Sequence, residues 1–278
     1  MTQRDSITAV VPVHNRADLL AELLDSIAAQ TVPFTEVIVV DDASTDGAGD
    51  LARARGCRVI RQAENGGFAR AVNAGWRAAG GSRWIAILNS DVTLDARWLE
   101  RLMAGSGDSG FATGTIFNAV NRQVIDGTYD LVSRAGCAWR AGYGELTVPP
   151  SSRTSLAPGT ACLFRREVLE SLHGFDEEFG SYLEDVDLGL RCVREGYAGV
   201  YIPGAVAWHH GSATLGRWNP RVVRLISRNQ VLLVRRHYDA GLFRECFWPI
   251  VAGQLLWGLV ALRHRAGFAW LAGKFEGV

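Results

Sequence analysis

Glu36-Val-Ile-Val-Val-Asp-Asp-Ala-Ser-Thr-Asp46 is the stretch that decides the fold. Val37 to Val40 is apolar without alternation, so the strand it forms is covered on both faces, as in a parallel sheet wrapped by helices. The strand ends on two carboxylates, Asp41 and Asp42, and the turn-rich Ala43 to Gly47 opens a helix. The same pattern extends on both sides. Upstream, Ile7 to Val13 is an apolar run closed by Pro12 and the polar His14-Asn15-Arg16, and Leu19, Leu20, Leu23, Leu24 and Ile27 then recur at helical spacing. Downstream, Arg58-Val59-Ile60 reads as a third strand, and Asn65-Gly66-Gly67 introduces a helix through Ala79. Trp84 to Leu88 is a fourth strand, ending on Asn89-Ser90-Asp91. Strands alternating with helices predict an α/β fold, with a mostly parallel sheet flanked by helices. In such sheets ligands bind beyond the carboxyl ends of the strands, where His14, Asp42 and Asp91 fall.

Beyond residue 110 the pattern loosens. Residues 110–165 are rich in Gly, Ser and Pro with no helical stripe, and read as an irregular or mixed segment lining an acceptor cleft. An acidic knot follows in Glu184, Asp185 and Asp187, where a helix begins that Gly196 stops. Val200 to Ile202 and Val206 to Trp208 read as two short strands leading to His209-His210, and the tail from Arg221 is helical and increasingly apolar.

Composition narrows the function. The chain has 278 residues, with 29 basic and 29 acidic side chains, so no global basic field argues for nucleic acid. Its five cysteines are scattered, odd in number and without a CxxC pair, which fits reduced thiols in a cytosolic protein rather than a zinc site. No apolar leader follows the N-terminus. The junction after the first strand, Val11 to Asp18, holds no glycine, so it lacks the GxGxxG dinucleotide fingerprint, and no Walker lysine motif occurs. A nucleotide on this sheet is therefore bound through side chains and strand-end backbone, as suits a nucleotide-sugar.

Each polar group also has a plain structural alternative. Carboxylates at a helix start are favoured by its dipole, which accounts for Glu184, Asp185 and Asp187 without chemistry. Asp42 caps the following loop or accepts the imide N–H of uracil or thymine. Asn89-Ser90-Asp91 is a turn, or supplies one carboxylate to a cation held mainly by a diphosphate. His209 is structural, or a ligand to that cation.

The set as a whole resembles the inverting glycosyltransferases of family two, which have the GT-A fold. Carrying the resemblance are Val11-Pro-Val-His-Asn-Arg16, residues 36–46, Asn65-Gly-Gly-Phe-Ala-Arg-Ala-Val-Asn73 and Leu88-Asn-Ser-Asp91. Gly174-Phe-Asp-Glu-Glu-Phe179, Glu184-Asp-Val-Asp-Leu188 and Trp208-His-His-Gly211 extend it to about residue 212. The pattern looks most like the rhamnosyltransferase-like members that build bacterial cell-surface polysaccharides. The resemblance implies a dTDP- or UDP-linked sugar donor, dTDP-rhamnose among them, a glycan or lipid-linked glycan acceptor, and Mn2+ or Mg2+ as cofactor. It puts Pro12 and His14 beside the nucleobase with Asp42 as its hydrogen-bond acceptor, and Asn65, Arg70 and Asn73 facing ribose, diphosphate or sugar. Asn15, Gly66, Asn89 and Ser90 complete the expected nucleotide-sugar contacts. Asp91 matches the last carboxylate of the family's DxD motif, whose first position is here Asn89. His209 matches the histidine that completes the metal site, and Asp185 the catalytic base. Glu184, Asp187 and Trp208 fall on the acceptor side.

The expected organisation is a catalytic domain over residues 1–220, with nucleotide-sugar binding in about 1–105 and the acceptor side in about 106–220. A helical appendage follows over 221–278. Within it, Trp248 to Leu262 is apolar except for Gln254, spans roughly 22 Å as a helix, and is flanked by Arg263, His264, Arg265 and Lys274, with Arg235 and Arg236 upstream. This reads as an interfacial helix at the inner face of the cell membrane; packing on the catalytic domain, or a homodimer contact, is the alternative. Two rival functions remain: a sugar nucleotidyltransferase, which would want a glycine-rich basic loop where only Arg16 stands, and a non-enzymatic glycan-binding protein, which Asn89 leaves open.

Overall fold

The computed structural model describes residues 6–211 and 218–278. Its first half follows the expected alternation: β1 (Ile7–Val13), α1 (Ala17–Ala28), β2 (Glu36–Asp41), α2 (Ala48–Ala54), β3 (Arg58–Arg61), α3 (Phe68–Ala78) and β4 (Trp84–Leu88). β5 (Val92–Leu94) and α4 (Trp98–Ser106) come next. The second half holds β6 (Phe111–Asn118), β7 (Ile125–Gly127), β8 (Asp130–Val132), β9 (Ala138–Arg140), β10 (Ser152–Thr154) and β11 (Ala161–Arg165). α5 (Arg166–Ser171), α6 (Glu184–Arg194) and β12 (Gly199–His209) precede three C-terminal helices, α7 (Pro220–His237), α8 (Ala240–Arg263) and α9 (Gly267–Gly277).

The main sheet runs β10-β12-β6-β11-β4-β1-β2-β3, with β5 and β7 paired at its margins. The β4-β1-β2-β3 half is parallel, whereas β11 runs antiparallel between β4 and β6. Strand alternation splits the core into two layers. Ala9, Val11, Ala86 and Leu88 face one way, toward the α1 stripe, while Val10, Ile85 and Ile87 face the other, toward Val72 and Trp76 of α3. α3 lies close because Gly75 has no side chain; a Cβ there would stand 2.3 Å from Val10 Cγ1.

Three expectations change. Residues 110–165, expected as irregular or mixed, carry six strands, two of them central to the sheet. β6, Phe-Ala-Thr-Gly-Thr-Ile-Phe-Asn, mixes threonine and glycine into its buried run, and β7 to β10 are three residues each, too short for a periodicity to register. The two short strands near residue 200 are one strand, β12, which stays paired to β6 across a register shift between Ile202 and Val206. Pro203 lies in that shift, where a missing N–H breaks no ladder bond. Finally, the apolar tail helix is longer than 248–262. Asp239 caps it through Leu242 N–H at 2.8 Å, and it runs 24 residues, roughly 36 Å. By length and composition it could cross a membrane. One side of it is occupied, however: Gln254 donates to the Ala135 carbonyl at 2.9 Å and Gly258 packs on Trp270 of α9.

Candidate active site

The carboxyl ends of β1, β2 and β4 open on one side of the sheet, and the loops there are bound tightly to each other. The His14 ring donates from Nδ1 to the Asp42 carbonyl at 2.7 Å, and Asn15 donates to its Nε2 at 3.2 Å. Asn15 Oδ1 accepts the Thr45 N–H at 2.9 Å. Pro12 is buried in β1 opposite Val40, and His14 is exposed. Asp41 is structural: it accepts from Ser44 N–H and from Arg61 Nη1, at 2.8 and 2.7 Å. Asp42 receives Gly66 and Gly67 N–H on its two carboxylate oxygens, at 2.8 and 2.9 Å. It therefore caps the loop before α3, and each oxygen keeps a lone pair for another donor. Asn65 and Arg70 are exposed at this rim, Arg70 paired with Glu64 at 3.1 Å. Asn15, Arg16, Ala43, Tyr182 and Leu183 all have positive φ here, between 59° and 72°. Non-glycine residues hold that conformation at a cost of order 1–3 kcal/mol each, and such strain clusters at binding sites.

Behind the rim lies a buried charged cluster. His209, at the end of β12 and 5% exposed, stands between two carboxylates. Its Nε2 is 3.3 Å from Asp91 Oδ1 and its Nδ1 is 2.7 Å from Asp126 Oδ2. Burial disfavours the imidazolium, but the hydrogen bonds to Asp126 and Asp91 outweigh it and raise the pKa. Asp91 is likewise penalised by burial yet held below the usual carboxylate range by His209. Arg140 donates to Asp126 and, at 2.8 Å, to Thr160 Oγ1; Asp126, Asp130, Asp185 and Asp91 offset its desolvation. Asn89 and Ser90 form the half-buried turn leading to Asp91, with Asn89 N–H bonded to the Thr160 carbonyl at 2.9 Å.

The acidic knot joins this cluster through Asp185. Its Oδ2 accepts Gly159 N–H at 2.8 Å and its Oδ1 accepts Val186 N–H at 2.9 Å. Burial, then the Asp185 charge, push the pKa of Asp130 in β8 well up. Burial and Asp185 do the same to Glu184, whose Oε2 is buried with no partner among the described residues. Among the described residues no three His, Cys, Asp or Glu side chains form a metal cage. Asp91 and His209 face each other at 3.3 Å, and Asp126 holds the far nitrogen of the imidazole, an arrangement of the kind that orients a ligating histidine.

Three expected contacts do not join the cluster. Asn73 is fully buried, and its amide is spent on the Phe175 backbone, Glu177 and Trp76 at 2.8–3.0 Å. Its work is to hold the 175–177 turn, not a ribose. Asp187 is pinned by Arg191 and by His237 of α7, at 2.7 and 2.8 Å, so it ties α6 to the C-terminal helices rather than meeting an acceptor. Trp208 points to the opposite side of β12 from His209, under the Arg122 guanidinium at 4.8 Å. Conversely, Asp126, Asp130, Arg140 and Thr160 escaped the reading of residues 110–165. The Ala135-Gly136 turn between two short runs was the available signal, since it makes the hairpin that sets Asp130 opposite Arg140. Asn229 of α7 was also missed; its amide donates to the carbonyls of Phe179, Ser181 and Tyr182 at 2.6–3.0 Å, fixing the loop before Glu184.

The fold has known counterparts. The chain is similar to an N-acetylglucosaminyl-diphospho-decaprenol L-rhamnosyltransferase of Mycobacterium tuberculosis, at 27% identity over 77% of this chain and 78% of the relative. It is 31% identical to an O-antigen biosynthesis protein of Myxococcus xanthus, over 75% of this chain and 17% of that protein. Among solved structures it resembles a mannosyltransferase of Pyrobaculum calidifontis in complex with GDP-Man and Mn2+, with a TM-score of 0.60 and 22% identity over 99% of this chain and 74% of that one. The architecture is the GT-A fold. The model of glycosyl transferase family 2 matches residues 8–172, more than half of the protein, and the chain belongs to that family.

Proposed function

We propose that this glycosyltransferase moves a sugar, with inversion, from a dTDP- or UDP-linked donor to a lipid-linked glycan in cell-surface polysaccharide synthesis. The observation that carries the reading is the buried Asp91–His209 pair at the strand ends of a GT-A sheet, with Asp185 of α6 fixed by the N–H of Gly159, the neighbour of the Thr160 that Arg140 bonds together with Asp126. The acceptor hydroxyl gives its proton to Asp185 while its oxygen bonds to the anomeric carbon; the bond from that carbon to the diphosphate breaks, and a nucleoside diphosphate leaves. Asp91 and His209 would hold Mn2+ or Mg2+, which when bound neutralises charge on the diphosphate. Asn89 in place of a carboxylate leaves the donor phosphates to supply the remaining ligands. Asp42 presents its free lone pairs to the imide of a pyrimidine. The rhamnosyltransferase named above supports rhamnose as the sugar moved and a polyprenyl-diphosphate-linked acceptor.

A lipid-linked acceptor requires access to a membrane, and the tail offers it. Trp248, Leu255, Leu256, Leu259 and Leu262 of α8 and Phe268 and Phe275 of α9 are exposed. Residues 221–278 carry nine Arg and Lys against three Asp and Glu in a chain that is neutral as a whole. Arg263 and Arg265 are exposed beside the apolar stripe. Lys274, expected as a further flank, instead bonds inward to the Ser227 carbonyl and to the side chains of Gln230 and Gln254. This surface suits the anionic inner face of the cell membrane.

The test is a thermal-shift and turnover panel of dTDP-, UDP- and GDP-sugars, with and without Mn2+. Metal-dependent stabilisation by dTDP or UDP compounds and release of nucleoside diphosphate are expected. Equal stabilisation by GDP compounds would overturn the assignment of Asp42 to the base.

A further inference from the structure

The helix that carries Asp185 begins on strained backbone. Leu183, which precedes α6, gives it no side-chain cap, and Tyr182 and Leu183 stand at φ 72° and 66°, a left-handed conformation that is costly for a residue with a side chain. The Leu183 carbonyl accepts the Asp187 N–H at 2.9 Å, the bond that starts the helix, so the place of Asp185 in the first turn follows from this backbone. Two sets of hydrogen bonds hold it. On the donor side, Ser181 Oγ accepts the Phe68 N–H at 3.1 Å and the Gly180 carbonyl accepts the Ala69 N–H at 2.8 Å, directly after the two glycines bound by Asp42. On the other side, the Asn229 amide of α7 donates to the carbonyls of Phe179, Ser181 and Tyr182, at 2.8, 3.0 and 2.6 Å. Carbonyls only accept, so the NH2 end of the amide faces them. The amide oxygen is taken by Arg228 Nη1 at 3.0 Å, which also donates to the Glu178 carbonyl at 2.7 Å. Asn229 is fully buried, and beside it Leu232 and Leu233 pack with Phe179 and Val186. α6 is tied to α7 a second time where His237 Nε2 stands 2.8 Å from Asp187 Oδ1.

We propose that Asn229 is a positioning residue for sugar transfer: from α7 it holds the 181–183 backbone in its left-handed conformation and so sets Asp185 to receive the acceptor's proton. The proposal rests on the reading of Asp185 as base. Being buried, Asn229 meets no substrate and acts only through the turn it holds. A carboxamide suits the task, because one compact planar group brings two N–H donors to a turn that presents three carbonyls. The proposal makes α7 part of the catalytic site rather than of a detachable appendage.

A rate loss that runs through Asp185 is separable from a loss of stability. Asn229→Ala takes the donors from three carbonyls, so kcat of the full chain, measured well below its melting temperature, should fall by about 10–100-fold, the scale of a reacting group displaced by about 1 Å. Donor-nucleotide Kd, measured by calorimetry, should not change, because the Phe68 and Ala69 bonds and Asp42 are left in place. Asn229→Ser keeps one donor and should lose less turnover. In single-turnover assays Asn229→Ala should add little to the loss caused by Asp185→Asn, since it has no base left to position, whereas independent defects multiply. The proposal is overturned if Asn229→Ala turns over at the wild-type rate, if its loss multiplies fully with that of Asp185→Asn, if donor affinity falls in step with kcat, or if neither Asn229 variant folds. In each of those cases Asp185 can still be the base. If Asp185→Asn itself transfers sugar normally, the base assignment fails, and the proposal with it.

Discussion

The second carboxylate on His209 should control cation affinity without touching chemistry, and replacing Asp126 tests this. Asp126 Oδ2 accepts His209 Nδ1–H at 2.7 Å in a site where the ring is 5% exposed, so water cannot readily take over. A hydrogen bond to a charged group contributes about 1.5–3 kcal/mol, which is roughly 10–150-fold in an equilibrium constant if it is lost outright. Loss of a second carboxylate behind a ligating histidine costs about 10–100-fold in metal affinity, within the same range. Asp126→Asn keeps an acceptor oxygen but no charge, and turns an amide toward Arg140; it should weaken Mn2+ binding by roughly tenfold. Asp126→Ala should reach about 100-fold. The assay is Mn2+ titration of the enzyme–nucleotide complex by calorimetry, paired with the Mn2+ concentration giving half-maximal turnover. At saturating Mn2+, kcat should recover to within a few-fold, because Asp91 and Asp185 are unaltered. The reasoning is refuted if both variants keep wild-type half-saturation while Asp91→Ala loses metal dependence, since His209 would then not be an oriented ligand.

Two further outcomes follow from the C-terminal helices. Burial penalises the Asp187 carboxylate, but His237 and Arg191 outweigh that and hold its pKa below 3.8. Its contribution to stability is therefore present above the unfolded value and lost as pH falls through the lower folded one, so Asp187→Asn should be destabilised at pH 7 and lose less than wild type on acidification below pH 3.8, followed by chemical denaturation. Replacing Leu256 and Phe268 together by Glu should abolish co-sedimentation with anionic phospholipid vesicles at low salt while leaving turnover on a water-soluble acceptor intact; a concentration-dependent dimer lost in the same variant, with no vesicle binding by wild type, would assign the surface to self-association instead.

The sequence by itself determined the parallel half of the sheet and the polar residues at its strand ends. Ile7–Val13, Val37–Val40 and Trp84–Leu88 are apolar on both faces, so burial on both faces is written into them, and the acids that end two of them cannot be drawn into the core without partners. It also located Asp185 at the start of a helix and His209 after a strand. Which polar groups meet was decided only by the tertiary structure. His209 and Asp126 are 83 residues apart, and Asn73 is bonded to Glu177 across 104. Asn73 and Asp187 match a binding motif as well as Asp91 does, yet both are consumed by structural bonds because α3 and α6 happen to face the 175–177 turn and α7. Asp130 and Arg140 sit in strands of three residues, whose identity comes from the neighbours that pair with them rather than from any local pattern. Hydrophobic periodicity is a local property of the chain, whereas a hydrogen bond or a shifted pKa belongs to two groups at once, and only the folded chain brings the second one within reach.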